Sequence, residues 1–141
     1  MKLLTVKELK KNYLTKKKVI CALENIDFNI DKNSFVSIVG PSGCGKSTIL
    51  SIIGGLEKKS GGEIIFSNIS TKIGYMFQED TLFEHLNVLD NCLVGLKIQK
   101  KINEESLTYV KELLNKYDLS SFEKSYPKEL SGGMRQRVAW I

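Results

Sequence analysis

One stretch, GPSGCGKST from Gly40 to Thr48, limits what this 141-residue chain can fold into more than any other. It fits the pattern G-x-x-x-x-G-K-[ST], in which a strand hands the chain to a tight loop and the loop opens into a helix. Its neighbours supply both parts. Phe35 to Val39, FVSIV, is nearly all apolar, the composition of a strand covered on both faces within a parallel sheet. Ser47 to Gly55, STILSIIGG, reads as a helix that stops at Gly54 and Gly55. Glycines let backbone N–H groups converge without side chains in the way. At the positive end of a helix those groups form a nest for phosphate. Gly40, Pro41, Ser42, Gly43, Cys44, Gly45, Lys46, Ser47 and Thr48 are therefore the expected cradle of a nucleotide's phosphate chain. Lys46 adds a point charge for the outer phosphates, and the Ser47 hydroxyl is a ligand for Mg²⁺. Cys44 is expected to lend its backbone N–H, its thiol lying near a helix N-terminus.

Around this loop the chain shows two kinds of pattern. Ile26, Phe28 and Ile30 alternate with Asp27 and Asn29, as in an antiparallel strand with one wet face. GGEIIF marks a turn and another strand, and Ile73 to Phe77, IGYMF, a further buried one. From Asn87 onward helices take over. Asn87 is placed to cap a helix carrying Leu89, Cys92, Leu93 and Leu96 on one face, and Leu107, Val110, Leu114 and Tyr117 form a second stripe. The fold class expected is α/β, a P-loop nucleotide-binding core with an antiparallel β subdomain and a helical subdomain. The core and the β subdomain occupy residues 1–84, the helical subdomain residues 85–141, and the join near Asp80 to Asn87 holds neither proline nor glycine.

Composition narrows the partners. With 42% hydrophobic and 26% charged residues the chain is globular rather than disordered. No run of about 18 apolar residues is present to span a bilayer, and the charges scattered through Met1 to Leu9 do not suit a signal peptide. Cys21, Cys44 and Cys92 are too far apart for a disulfide framework or a metal site, and suit a reducing cytoplasm. The net charge of +5 leans toward anionic partners. Lys7, Lys10, Lys11, Lys16, Lys17 and Lys18 read as a solvated surface, and no aromatic residue among Lys16 to Lys18 is available to stack a base. Nucleic acid is not an expected partner.

A second motif, LSGGMRQR from Leu130 to Arg137, gives Ser131 as an N-cap and Gly132 and Gly133 as unobstructed N–H groups at the head of a helix. With both motifs present, the sequence from about residue 3 to 139 resembles the ATP-binding subunits of ABC transporters. Gly40 to Ser47 matches the Walker A loop, and Tyr13 the aromatic residue that stacks on adenine. Gln78 in YMFQED matches the Q-loop glutamine, which contacts Mg²⁺ and the attacking water and senses the membrane subunit. Leu130 to Met134 matches the signature motif, with Met134 where glutamine is commonest.

The resemblance implies ATP and Mg²⁺ as cofactors, with Ser47 and Gln78 on the metal. It implies that Ser131, Gly132 and Gly133 touch ATP held by a second ATP-binding subunit, so that two chains sandwich two nucleotides. A transmembrane permease subunit and a solute-binding protein are the further partners implied. The function implied is the coupling of ATP binding and hydrolysis to solute uptake, from the cytoplasm, peripheral on the inner face of the cell membrane. GYMFQEDTLFEHLNVLDN and YPKELSGGMRQRVA are most similar to importers of nitrate, sulfonate and taurine. His85 does not match the family's switch histidine.

The family continues beyond the signature helix into a Walker B strand, a catalytic glutamate, a D-loop and the switch histidine, none of which is matched here. Trp140 and Ile141 stand where the family has a small aliphatic residue and alanine. The expectation is a truncated cassette, inactive alone, since loss of a general base by itself costs ~10²–10⁴-fold. The missing strand would lie beside FVSIV and leave it an unpaired apolar edge. The alternative is a non-catalytic nucleotide-binding or subunit-interaction fragment. A chromosome-maintenance or DNA-repair ATPase would carry a long coiled coil between the two motifs. Ser47 and Ser131 are only 84 residues apart, without sustained heptads. Small-molecule kinases share the loop but not the signature.

Overall fold

The computed structural model describes residues 1–68 and 71–141, which form two compact units, Met1–Tyr75 and Met76–Ile141. The first unit contains β1 (Lys2–Leu14), β2 (Val19–Asp31), α1 (Lys46–Ile53) and β3 (Gly61–Phe66). The strands form an antiparallel sheet in the order β2-β1-β3, with Val6 opposite both Phe28 and Ile64. One face carries Leu4, Val6, Leu9 and Leu23, and α1 covers it with Ile49 and Ile52.

Leu4 and Val6 follow the two-residue period of a strand, yet Leu9 breaks it. The register shifts between Val6 and Leu9, where Glu8 takes a left-handed φ of 48°. This bulge inserts one residue and so returns Leu9 to the core face instead of the solvent face. Gly62, at φ +80°, lies against the bulge, where an added Cβ would come within 2.3 Å of the Glu8 carbonyl oxygen. Only glycine fits there.

Two expected buried strands are not strands. Residues 35–39 have no regular secondary structure and no ladder partner among the described residues, with Phe35 94% and Val39 90% exposed. Residues 73–77 are likewise outside the sheet, and Ile73, Met76 and Phe77 are exposed. Their apolar composition was read as that of strands covered on both faces, but neither segment joins the sheet of the described residues. Tyr75 packs on α1, its hydroxyl 3.2 Å from Ser51 Oγ and its ring against Gly54. The helix before it ends as expected, with Gly54 as C-cap and Gly55 at φ +74°.

The second unit is helical: α2 (Val88–Ile98), α3 (Glu104–Lys116) and α4 (Gly132–Trp140), with short 3₁₀ turns at Ser120–Phe122 and Pro127–Glu129. Its core joins Val88, Leu93, Val110, Leu114, Leu119, Leu130 and Val138. The remaining members of the two sequence stripes, Leu89, Cys92, Leu96, Leu107 and Tyr117, pack around it. Asn87 Oδ1 accepts from Asp90 N–H at 2.8 Å, and Asn103 forms a reciprocal capping box with Ser106. Each cap is worth ~1 kcal/mol. The units divide at Tyr75, ahead of the join expected near residue 84.

Burial pushes the Cys92 thiol from an ordinary 9.0 up to about 12. It therefore stays protonated in the folded chain, whereas Cys21 and Cys44 are exposed. At pH 8 an alkylating reagent is expected to modify Cys21 and Cys44 and to spare Cys92 until denaturant is added, which peptide mass analysis reads directly. Because the folded value is the raised one, the stability that Cys92 contributes is complete below pH 9 and is lost as pH climbs toward 12.

Candidate functional site

In the first unit the loop from Gly40 to Gly45 is curled, not extended. Gly43 and Gly45 stand at φ +79° and +90°, conformations that side-chain-bearing residues rarely adopt. Gly45 occupies the N-cap of α1 and has no side chain to accept from the first turn. The N–H groups of Lys46, Ser47 and Thr48 consequently find no acceptor among the described residues, nor do those of Gly43 and Gly45. Helix α1 has no acidic residue in its first turn to offset its positive end.

The Lys46 ammonium folds over the loop, donating to the carbonyls of Gly40 at 2.8 Å and Pro41 at 2.6 Å, with Cys44 Sγ at 3.6 Å. Cys44 closes the same turn through its N–H, 3.4 Å from the Pro41 carbonyl. A Cβ on Gly40 would lie 2.8 Å from Cys44 Sγ, so both ends of the loop need small residues. The Ser47 hydroxyl makes no hydrogen bond among the described residues and stands exposed on the first turn of α1. An oxygen so placed suits a hard cation such as Mg²⁺.

Tyr13 lies near the end of β1, about one-third exposed. Lys11 Nζ sits 4.8 Å above its ring centroid and 3.0 Å from Glu57 Oε1. The hydrogen bond from Tyr13, then that from Lys11, hold the Glu57 carboxyl below the usual carboxylate range. Sequence reasoning did not find these two neighbours. No spacing rule links Lys11 to Glu57, which meet only because β1 runs beside the segment after α1.

The second unit brings Gln78 together with the signature motif. A cleft of about 590 Å³ is lined by Gln78, Asp80, Gly132, Gly133, Arg135 and Gln136, among others. Ser131 caps α4, its Oγ accepting from Met134 N–H at 3.3 Å, while the N–H groups of Gly132 and Gly133 find no acceptor among the described residues. Asp80 Oδ2 lies 3.1 Å from Arg135 Nε. This pair too was missed, since each residue reads as surface charge on its own. Farther along α4, Arg137 donates to the Tyr117 carbonyl at 2.9 Å and so ties α4 to the end of α3.

Comparison with known proteins agrees with this layout. A sequence model described as "ABC transporter" matches residues 23–140. The chain is 43% identical to an uncharacterized ABC transporter ATP-binding protein, YtlC, of Bacillus subtilis, covering 99% of this chain and 55% of that protein. It is 44% identical to the aliphatic sulfonates import ATP-binding protein SsuB of Bacillus cereus, covering 96% and 55%. Among solved structures, the ATP-binding cassette MJ0796, a dimer bound to ADP and Pi, superposes with a TM-score of 0.84 at 36% identity, covering 97% of this chain and 67% of that one. The fold is thus of the α/β P-loop NTPase type. The chain spans about half the length of the curated relatives it matches.

Proposed function

Since this chain belongs to the ABC transporter family, we propose that it forms part of an ATP-binding subunit whose Gly40–Thr48 loop holds the phosphates of ATP. One observation carries the reading. The N–H groups of Gly43, Gly45, Lys46, Ser47 and Thr48 lack acceptors among the described residues at the positive end of α1, on a loop that glycines shape. Phosphate oxygens would satisfy them at once. Lys46 would exchange the Gly40 and Pro41 carbonyls for phosphate, a stronger charge-assisted bond. Ser47 is the proposed Mg²⁺ ligand beside the loop, the metal offsetting charge on the outer phosphates when bound, and Gln78 keeps the Q-loop role that the family resemblance implies. Tyr13 is the proposed adenine platform, through the ring face not covered by Lys11.

Ser131, Gly132 and Gly133 are proposed to meet the ATP of a second subunit, which the dimeric relative MJ0796 supports. Relatives named as importers of aliphatic sulfonates and of sulfate or thiosulfate support a role in solute uptake, with a permease and a solute-binding protein as partners. No helix among the described residues is long and apolar enough to cross a membrane. The proposed place is on the permease at the cytoplasmic face. For this stretch of chain we propose nucleotide binding, with hydrolysis a property of the ATP-binding subunit of which it forms part.

The test is competition against a fluorescent ATP analogue with Mg²⁺. ATP and ADP should displace it, and AMP should displace it only weakly, because the loop holds the outer phosphates. Displacement by adenosine as readily as by ATP would sink the cradle.

A further inference from the structure

The ion pair between Asp80 and Arg135 joins two segments that the sequence keeps 55 positions apart. Asp80 follows Gln78 by two residues, in irregular backbone, and Arg135 lies in the first turn or so of α4, just past Gly132 and Gly133. The Asp80 side chain is 19% exposed, and Arg135 Nε is enclosed with no hydrogen-bond partner among the described residues. At 3.1 Å its N–H is not aimed at the carboxylate, so the contact acts through charge.

Two electrostatic facts give it direction. A cation near a helix N-terminus opposes the helix dipole, and α4 has no acidic residue in its first turn to compensate. Asp80 supplies that missing negative charge from outside the helix. Removing either partner leaves the other charged, poorly solvated and unpaired. Among the described residues no other ion pair reaches Arg135.

We propose that Asp80 and Arg135 are a positioning pair that clamps the Gln78 segment to the head of α4, so that the two move as one body. Neither residue is catalytic. The clamp belongs to the free chain and does not depend on nucleotide, so its test is separate from that of ATP binding.

Limited chymotrypsin digestion of the full chain reads it, because Phe77 and Phe83 flank Asp80 while Tyr109, on α3, serves as an internal control. Asp80→Asn and Arg135→Gln should each speed cleavage at Phe77 and Phe83 by on the order of tenfold, the coupling typical of charges in contact. Tyr109 should be unaffected. Arg135→Lys should restore part of the protection, and the exchanged pair Asp80→Arg with Arg135→Asp more than either of its single changes. The clamp is refuted if Arg135→Gln leaves Phe77 and Phe83 as they were. It is equally refuted if Tyr109 accelerates in parallel, which would make the pair a matter of general stability, or if neither Arg135→Lys nor the exchange recovers protection.

Discussion

Lys46→Ala is expected to lower ATP affinity by about a hundredfold or more, beyond detection in the fluorescent competition assay. The magnitude follows from hydrogen bonds to charged groups, each ~1.5–3 kcal/mol, of which a lysine beside a triphosphate makes more than one. Folding should change far less. The lysine is half-buried and its bonds, to the carbonyls of Gly40 and Pro41 and to Cys44 Sγ, stay within its own loop, so an exposed carbonyl turns to water when the ammonium is lost. A circular dichroism melt close to the parent, together with lost binding, is the expected pair of results. Unchanged nucleotide affinity would remove the phosphate assignment and leave the loop as a structural turn.

Gly45→Ala should strike the fold itself. Its φ of +90° costs a residue with a Cβ ~1–2 kcal/mol. The new Cβ would also stand 2.5 Å from Leu23 Cδ2 and 2.8 Å from the Ala22 carbonyl oxygen on β2. Overpacking of that kind adds ~1–3 kcal/mol. A loss of about 3 kcal/mol in urea unfolding is expected, with displacement of the start of α1 and loss of ATP binding. Gly43→Ala is the control. Its φ of +79° is similar, but an added Cβ meets nothing within 4 Å, so only the backbone cost of ~1–2 kcal/mol applies. Equal stability of the two variants would show that the contact with β2 is slack.

Local chemistry was legible from the residues. Gly54, Gly55, Asn87 and Ser131 announced helix ends because each acts on its own backbone, within a turn or so. The stripes of α2 and α3 were visible for the same reason. What failed was anything that depends on a distant partner. Phe35 to Val39 and Ile73 to Phe77 carry the composition of central strands, but composition states a demand for neighbours and cannot provide them. The backbone of the loop was legible, Gly40 to Gly45 curling ahead of α1 and Lys46, Ser47 and Thr48 opening the helix, since a glycine-lysine pattern encodes backbone geometry directly. The Lys11–Tyr13–Glu57 cluster and the Asp80–Arg135 pair were invisible, because ordinary charged side chains acquire meaning only from tertiary proximity.

The order of the three strands bears on how the chain is made. β1 is central, yet its second neighbour, β3, is made after both β1 and β2, so Leu4 waits for Phe66 before its ladder is complete. The residues of β2 and α1 are made before those of β3, so the far side of β1 is the later one to be covered, and all three strands are synthesised ahead of α2.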